Sequence, residues 1–199
     1  MIRRLVAFST RLFTGVRRLP ASPHGTGPAV FFANHNSHLD FVVVWAALPH
    51  EVRQCTSPAA AEDYWNKSAL RRWLACCVFQ AVLIPRESIS RKNHPVDRLA
   101  ACLEAGRSVL IFPEGTRRDG DGDVAEFKGG LYHLAKRFPD LPLVPVNLDN
   151  LNRVLPKGSL LPVPIIAQAH FFAPIHLIEG ETKPDFLRRA REAVLQDVH

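Results

Sequence analysis

The sequence predicts an α/β fold: a single domain with a mixed, mostly parallel central sheet flanked by helices, preceded by an N-terminal amphipathic helix. Two observations lead there. Six short apolar or alternating runs bounded by turn residues read as strands, and helical patterns fall between them. Such alternation places helices on the faces of a sheet. At 199 residues the chain is long enough for one domain with its own core.

Residues 1–19 read as an amphipathic membrane-interface helix. Ile2, Leu5, Val6, Phe8, Leu12, Phe13, Val16 and Leu19 gather on one side of a helix turning about 100° per residue, and Arg3, Arg4, Arg11, Arg17 and Arg18 gather on the other. An apolar face opposite an arginine face suits the interface of an anionic bilayer. It also suits a helix packed on its own domain. Arg11 and Arg17 interrupt the apolar stretch and no small-residue cleavage site follows, which argues against a signal peptide. The best apolar run, residues 41–48, falls well below the roughly 18 residues that span a bilayer. Residues 20–27, rich in Pro, Gly and Ser, read as a linker.

The domain proper is expected over residues 28–199. Its strands are expected at 29–33, 52–56, 81–85, 108–112, 143–147 and 165–172, and its helices at 39–48, 59–79, 93–105, 130–138 and 183–198. Hydrophobic residues at 47% and charged residues at 22% exclude extensive disorder. A net charge of +6 and a pI near 9.5 favour anionic partners: nucleic acid, anionic lipid or a phosphorylated substrate. Cys55, Cys76, Cys77 and Cys102 show no CxxC spacing and no partnering histidine pattern, so they read as reduced thiols, mostly in the core. Reduced thiols place the chain on the cytoplasmic face of a membrane, as a peripheral or monotopic protein.

Two polar blocks follow strand-like runs, where a strand supports side chains presented by the next turn. The first is Asn34-His35-Asn36-Ser37-His38-Leu39-Asp40. His35 is the residue type whose ordinary pKa suits a general base near neutrality. Asp40, five residues on, meets it only if His35 sits in the turn and Asp40 on the first helical turn, with Ser37 free to cap the helix. A structural histidine satisfied by a carboxylate reads equally well. The second block is Phe112-Pro113-Glu114-Gly115-Thr116-Arg117, where arginine beside a glycine turn offers bidentate phosphate contacts. Arg86, ending the run from Ala81, and Lys128-Gly129-Gly130 add cationic and amide donors to the same anion pocket.

Other chemistries fit less well. His35, His38 and Asp40 cluster like metal ligands, but their spacing is wrong for His-x-His-x-Asp-His. Asp119, Asp121 and Asp123 alternate as calcium ligands do, yet the twelfth position counted from Asp119 is Gly130 rather than Glu. Gly106-Arg107-Ser108 begins a nucleophile elbow that lacks its second glycine at Leu110. Trp65, Trp73 and Phe79 fit an apolar channel, contact with lipid, or equally the core.

The two blocks together resemble the glycerolipid acyltransferases of the 1-acylglycerol-3-phosphate acyltransferase (PlsC-like) type. Asn34, His35, Ser37 and Asp40 match that family's Asn-His-x-Ser-x-x-Asp block, and residues 112–117 match its Phe-Pro-Glu-Gly-Thr-Arg block. Val82 to Arg86 resembles its second block, with Gln80 where glycine is common, and Val144-Pro145-Val146 its fourth. The resemblance covers roughly residues 28–150. It implies acyl transfer from acyl-CoA or acyl carrier protein, as co-substrate and with no cofactor or metal, to a lysophospholipid hydroxyl. The acceptor implied is 1-acyl-glycerol-3-phosphate; glycerol-3-phosphate, another lysophospholipid or a lyso-ornithine lipid are alternatives. His35 is then the base and Asp40 its orienting partner, while Arg86, Glu114, Gly115, Thr116 and Arg117 hold the acceptor phosphate. The chain is short for the family and has no evident transmembrane hairpin, so attachment to an anionic membrane surface rests on the N-terminal helix. No nucleic-acid partner is implied. A non-enzymatic basic membrane-binding module would explain the charge but not the coexistence of the two blocks.

Overall fold

The computed structural model describes residues 1–17, 19, 21–35, 37, 40–85, 94–116, 124–149 and 167–196, and structural statements below refer to these. In chain order they form α1 (Ile2–Thr14), β1 (Val30–Ala33), α2 (Asp40–Ala47), α3 (His50–Gln54) and β2 (Thr56–Ala61). Next come α4 (Glu62–Trp65), α5 (Ala69–Trp73), a π turn (Leu74–Phe79), β3 (Val82–Ile84), α6 (Pro95–Glu104) and β4 (Ser108–Ile111). The chain continues with α7 (Gly130–Arg137), β5 (Leu143–Asp149), β6 (Gln168–Phe171) and α8 (Lys183–Val194).

The strands make one sheet in the order β3-β2-β4-β1-β5-β6. All neighbours are parallel except β6, which runs antiparallel to β5 at one edge. The α/β architecture expected from the alternation of elements is therefore the one observed. All four residues of β1 are buried, as a strand covered on both faces requires. Val30 and Phe32 point to one face, packing with Val109, Leu99, Leu131 and Phe186. Phe31 and Ala33 point to the other, packing with Leu110, Val144 and the α2 residues Val43 and Val44. That two-residue alternation gives the sheet two cores, and each fully buried large side chain contributes about 1.5–3 kcal/mol.

Residues 52–56 differ from expectation: α3 occupies His50–Gln54 and the strand begins at Thr56. The expected helix over 59–79 likewise starts late. Alanine favours helix, so Ala59-Ala60-Ala61 reads as helical by propensity. Pairing of Thr56–Pro58 with β4 and of Ala59–Ala61 with β3 overrides it.

Helix α1 packs across α2 through its small residues, burying Ala7 and Thr14. Its arginines turn toward the domain. Arg3 Nη2 donates to the Arg53 carbonyl at 3.0 Å, Arg11 Nη1 to the Ala46 carbonyl at 3.4 Å, and Arg4 lies 3.0 Å from His50 Nε2. The guanidinium groups of Arg3 and Arg53 stack on Trp45 at 5.5 and 5.3 Å. The apolar edge consequently faces outward, with Leu5, Phe8, Leu12 and Phe13 between 58% and 68% exposed. Among the described residues of 20–27, His24 meets Phe31 edge-on at 5.3 Å and lies 3.1 Å from the Gly27 carbonyl. Burial holds its imidazole below the ordinary value.

The cysteines depart from expectation. Cys55, Cys76 and Cys77 are exposed and Cys102 half-buried. The π turn explains two of them, because burying Ala75, Val78 and Phe79 leaves Cys76 and Cys77 facing out. Gln80 ends that turn at φ 52°, where the side chain accepts from Arg107 Nη2 at 2.6 Å. A non-glycine residue there costs about 1 kcal/mol. We expect Gln80→Gly to unfold in urea within about 0.5 kcal/mol of the parent, as relief of strain offsets the lost hydrogen bond. Gln80→Val, β-branched in the same conformation, should lose about 2 kcal/mol.

Candidate active site

Adjacent parallel strands bring the two polar blocks together. Phe32 lies in register with Ile111, so the chain leaves β1 and β4 side by side at the carboxyl edge of the sheet. Ligands of open α/β sheets bind at such an edge. Asn34 fixes the exit of β1: its Nδ2 donates to the Leu148 carbonyl at 3.0 Å, and the Leu148 N–H donates to its Oδ1 at 2.8 Å. A side chain thereby extends the pairing of β1 with β5.

His35 sits in the turn and Asp40 at the first position of α2, the arrangement the five-residue spacing requires. His35 Nδ1 lies 2.8 Å from Asp40 Oδ2, and Asp40 is fully buried. The same oxygen accepts the Ser37 N–H at 2.8 Å, so Asp40 orders the turn as well as the ring. A carboxylate three residues into a helix start that receives the N–H of the Ser or Thr before it is the reciprocal half of a capping box, in line with a helix start at Ser37. With Nδ1–H directed at the carboxylate, Nε2 is the nitrogen left for chemistry. The ring stacks on Phe112 at 4.4 Å and 22°.

Glu114 occupies a different position from the one expected. Its side chain is buried, Oε1 accepting the His35 N–H at 2.7 Å and Oε2 the Ala125 N–H at 3.0 Å. A carboxylate offers no donor to a phosphate and repels it, so this residue is a strut between the blocks rather than a phosphate ligand. The Gly115 N–H closes the turn on the Phe112 carbonyl at 3.0 Å. Gly115 has φ 74°, and a Cβ there would meet Lys128 Nζ at 2.7 Å. Glycine is thus favoured by the backbone conformation, while the Lys128 side-chain end can move aside for a Cβ. Thr116 is exposed beside it. Arg86 and Arg117 lie outside the described residues, as do His38 and residues 119–123.

A cavity of about 450 Å³ opens at this edge. His35, Phe112, Gly115 and Lys128 line its polar part. Ala59–Ala61, Ile84, Leu99 and Trp65 line the apolar part. The alanines are residues that sequence reasoning missed, because nothing in a run of alanines signals a cavity wall. Phe112 as a platform for His35 was missed too. Trp65 lines the cavity, Phe79 packs in the core against Trp45 at 5.2 Å, and Trp73 is exposed. Ser108 is a buried strand residue whose Oγ accepts the Ala29 N–H at 3.1 Å. No cluster of three or more His, Cys, Asp or Glu side chains suited to a metal occurs among the described residues.

Residues 11–149 match the acyltransferase family. The chain is 32% identical over 153 residues to the 1-acyl-sn-glycerol-3-phosphate acyltransferase alpha of Mus musculus, covering 75% of this chain and 51% of the mouse protein. It is 29% identical over 150 residues to the 1-acyl-sn-glycerol-3-phosphate acyltransferase of Helicobacter pylori strain J99, covering 74% of this chain and 59% of that protein. The chain spans about half the length of the curated relatives it matches. The crystal structure of the 1-acyl-sn-glycerophosphate (LPA) acyltransferase PlsC from Thermotoga maritima superposes with a TM-score of 0.75 at 20% identity, covering 97% of this chain and 76% of that one. That likeness shows the shared fold.

The strut makes a stability prediction. Glu114→Ala leaves the His35 and Ala125 N–H groups without their acceptors and should cost about 3 kcal/mol or more in urea unfolding. Glu114→Gln keeps one acceptor oxygen and should cost about half as much. Equal stability of Glu114→Ala and the parent would contradict the strut.

Proposed function

The chain belongs to the acyltransferase family, and we propose that it moves a fatty acyl group from a thioester to the hydroxyl of a lysophospholipid. The donor is acyl-CoA or acyl carrier protein. The acceptor is 1-acyl-glycerol-3-phosphate, the substrate class in the names of its relatives, and the product is phosphatidate. The observation that carries this reading is the His35–Asp40 pair at 2.8 Å, set in one cavity with the Gly115 turn.

In this scheme Nε2 of His35 takes the proton of the acceptor hydroxyl as its oxygen attacks the thioester carbonyl. Asp40, buried against the ring, holds it in place and offsets the charge that the proton brings. The new C–O bond forms, the C–S bond breaks, and the proton passes from His35 to the departing thiolate. Neither a covalent acyl-enzyme nor a cofactor takes part. Gly115 and Thr116, with Arg117 and Arg86 assigned from the motif, hold the acceptor phosphate and so fix the hydroxyl against His35. The apolar wall of Ala59–Ala61, Ile84 and Leu99 suits an acyl chain.

No helix among the described residues is long and apolar enough to cross a membrane. The outward apolar edge of α1 supports contact with an anionic membrane surface, where such acceptors reside. His35→Ala should lower acyl transfer to lysophosphatidate by about a hundredfold or more, and Asp40→Asn by a comparable factor, with lipid binding kept. Unchanged turnover in His35→Ala, followed by mass detection of phosphatidate, would sink the mechanism.

A further inference from the structure

Helix α5 (Ala69–Trp73) buries none of its residues. Ser68 Oγ accepts the Arg71 N–H at 3.2 Å and caps it, and the π turn Leu74–Phe79 continues it without a break. Leu70 is 67% exposed and Trp73 43%. Three residues apart, they share a face. The stretch from Asn66 to Trp73 carries Lys67, Arg71 and Arg72 and no acid.

Two contacts tie this exposed face to the rest of the molecule. The Arg71 guanidinium lies over the Tyr64 ring at 4.6 Å, and Tyr64, Trp65 and Lys67 line the His35 cavity. On the other side, the π turn continuing α5 packs through Val78 and Leu74 in the same cluster as Ala7 and Val6 of α1. Helix α1 and the turn continuing α5 therefore share one buried cluster, while the apolar edge of the first and the Leu70–Trp73 face of the second are both exposed.

We infer that α5 is a second bilayer-contacting element, seated with α1 in the interface of an anionic membrane beside the cavity. Tryptophan favours the headgroup level of a bilayer, and lysine and arginine favour its anionic phosphates. A second copy of this chain fits poorly, because face-to-face packing would set Lys67, Arg71 and Arg72 against their own kind. Lipid substrate then reaches His35 sideways past α4 rather than through water. That last step rests on the acyl-transfer reading; the docking of α5 does not.

The test uses the full chain and vesicles of phosphatidylglycerol and phosphatidylcholine. In the double variant Leu70→Gln/Trp73→Gln, vesicle affinity should fall about tenfold or more, with circular dichroism unchanged. Transfer to lysophosphatidate embedded in the vesicles should fall in parallel, while transfer to a short-chain acceptor dispersed as monomers stays within twofold. Brominated acyl chains should quench the parent's tryptophan fluorescence, and Trp73→Phe should remove most of that quenching. Vesicle affinity within twofold of the parent overturns the inference. So does quenching that persists in Trp73→Phe, or a dimer lost in the double variant while vesicle binding is kept. A parent that binds vesicles through α5 yet transfers no acyl group would uphold the docking and defeat the enzymatic reading.

Discussion

The buried carboxylate of Glu114 ties the site together. It belongs to the turn after β4, yet it accepts the backbone N–H of His35, in the turn after β1, at 2.7 Å. Its other oxygen accepts the Ala125 N–H, eleven residues further along the chain, at 3.0 Å. One side chain thus joins three segments that the sequence keeps apart, and hydrogen bonds to an ionised acceptor are among the stronger ones in proteins. The position of the His35 backbone, and through it the direction of the imidazole, depends on a residue from a different turn.

The sheet makes this possible. Parallel neighbours emerge at the same edge, so β1 and β4 need no special device to bring His35 beside the Gly115 turn. Asn34 anchors the first turn to β5, Asp40 folds it back onto α2, and Phe112 supports the ring from the second turn. Asn34, His35, Asp40 and Glu114 are all held by the frame, which is what positioning a reactive group demands.

Much of this was legible in the sequence. The apolar runs at 29–33 and 108–112 are strands because β-branched and aromatic residues fill both faces, and the five-residue spacing of His35 and Asp40 forces a turn followed by a helix start. What stayed hidden depends on contacts across the chain. The Ala59–Ala61 strand defies its own propensity, since pairing with β3 and room for a cavity decide it. Glu114 looks like one more polar residue near a phosphate, and its strut role appears only once His35 is seen opposite. For α1 the hydrophobic pattern gave the two faces, but small residues and arginine-to-carbonyl bonds decided which one turned inward.

The account makes one site of two blocks: a base at His35 and a phosphate-holding turn at Gly115, locked in register by Glu114. A structure of the chain with lysophosphatidate bound and no acyl donor tests that most directly. The account predicts the acceptor hydroxyl about 3 Å from His35 Nε2 with the phosphate on the Gly115–Thr116 turn. A phosphate bound elsewhere, or a hydroxyl out of reach of His35, would contradict it.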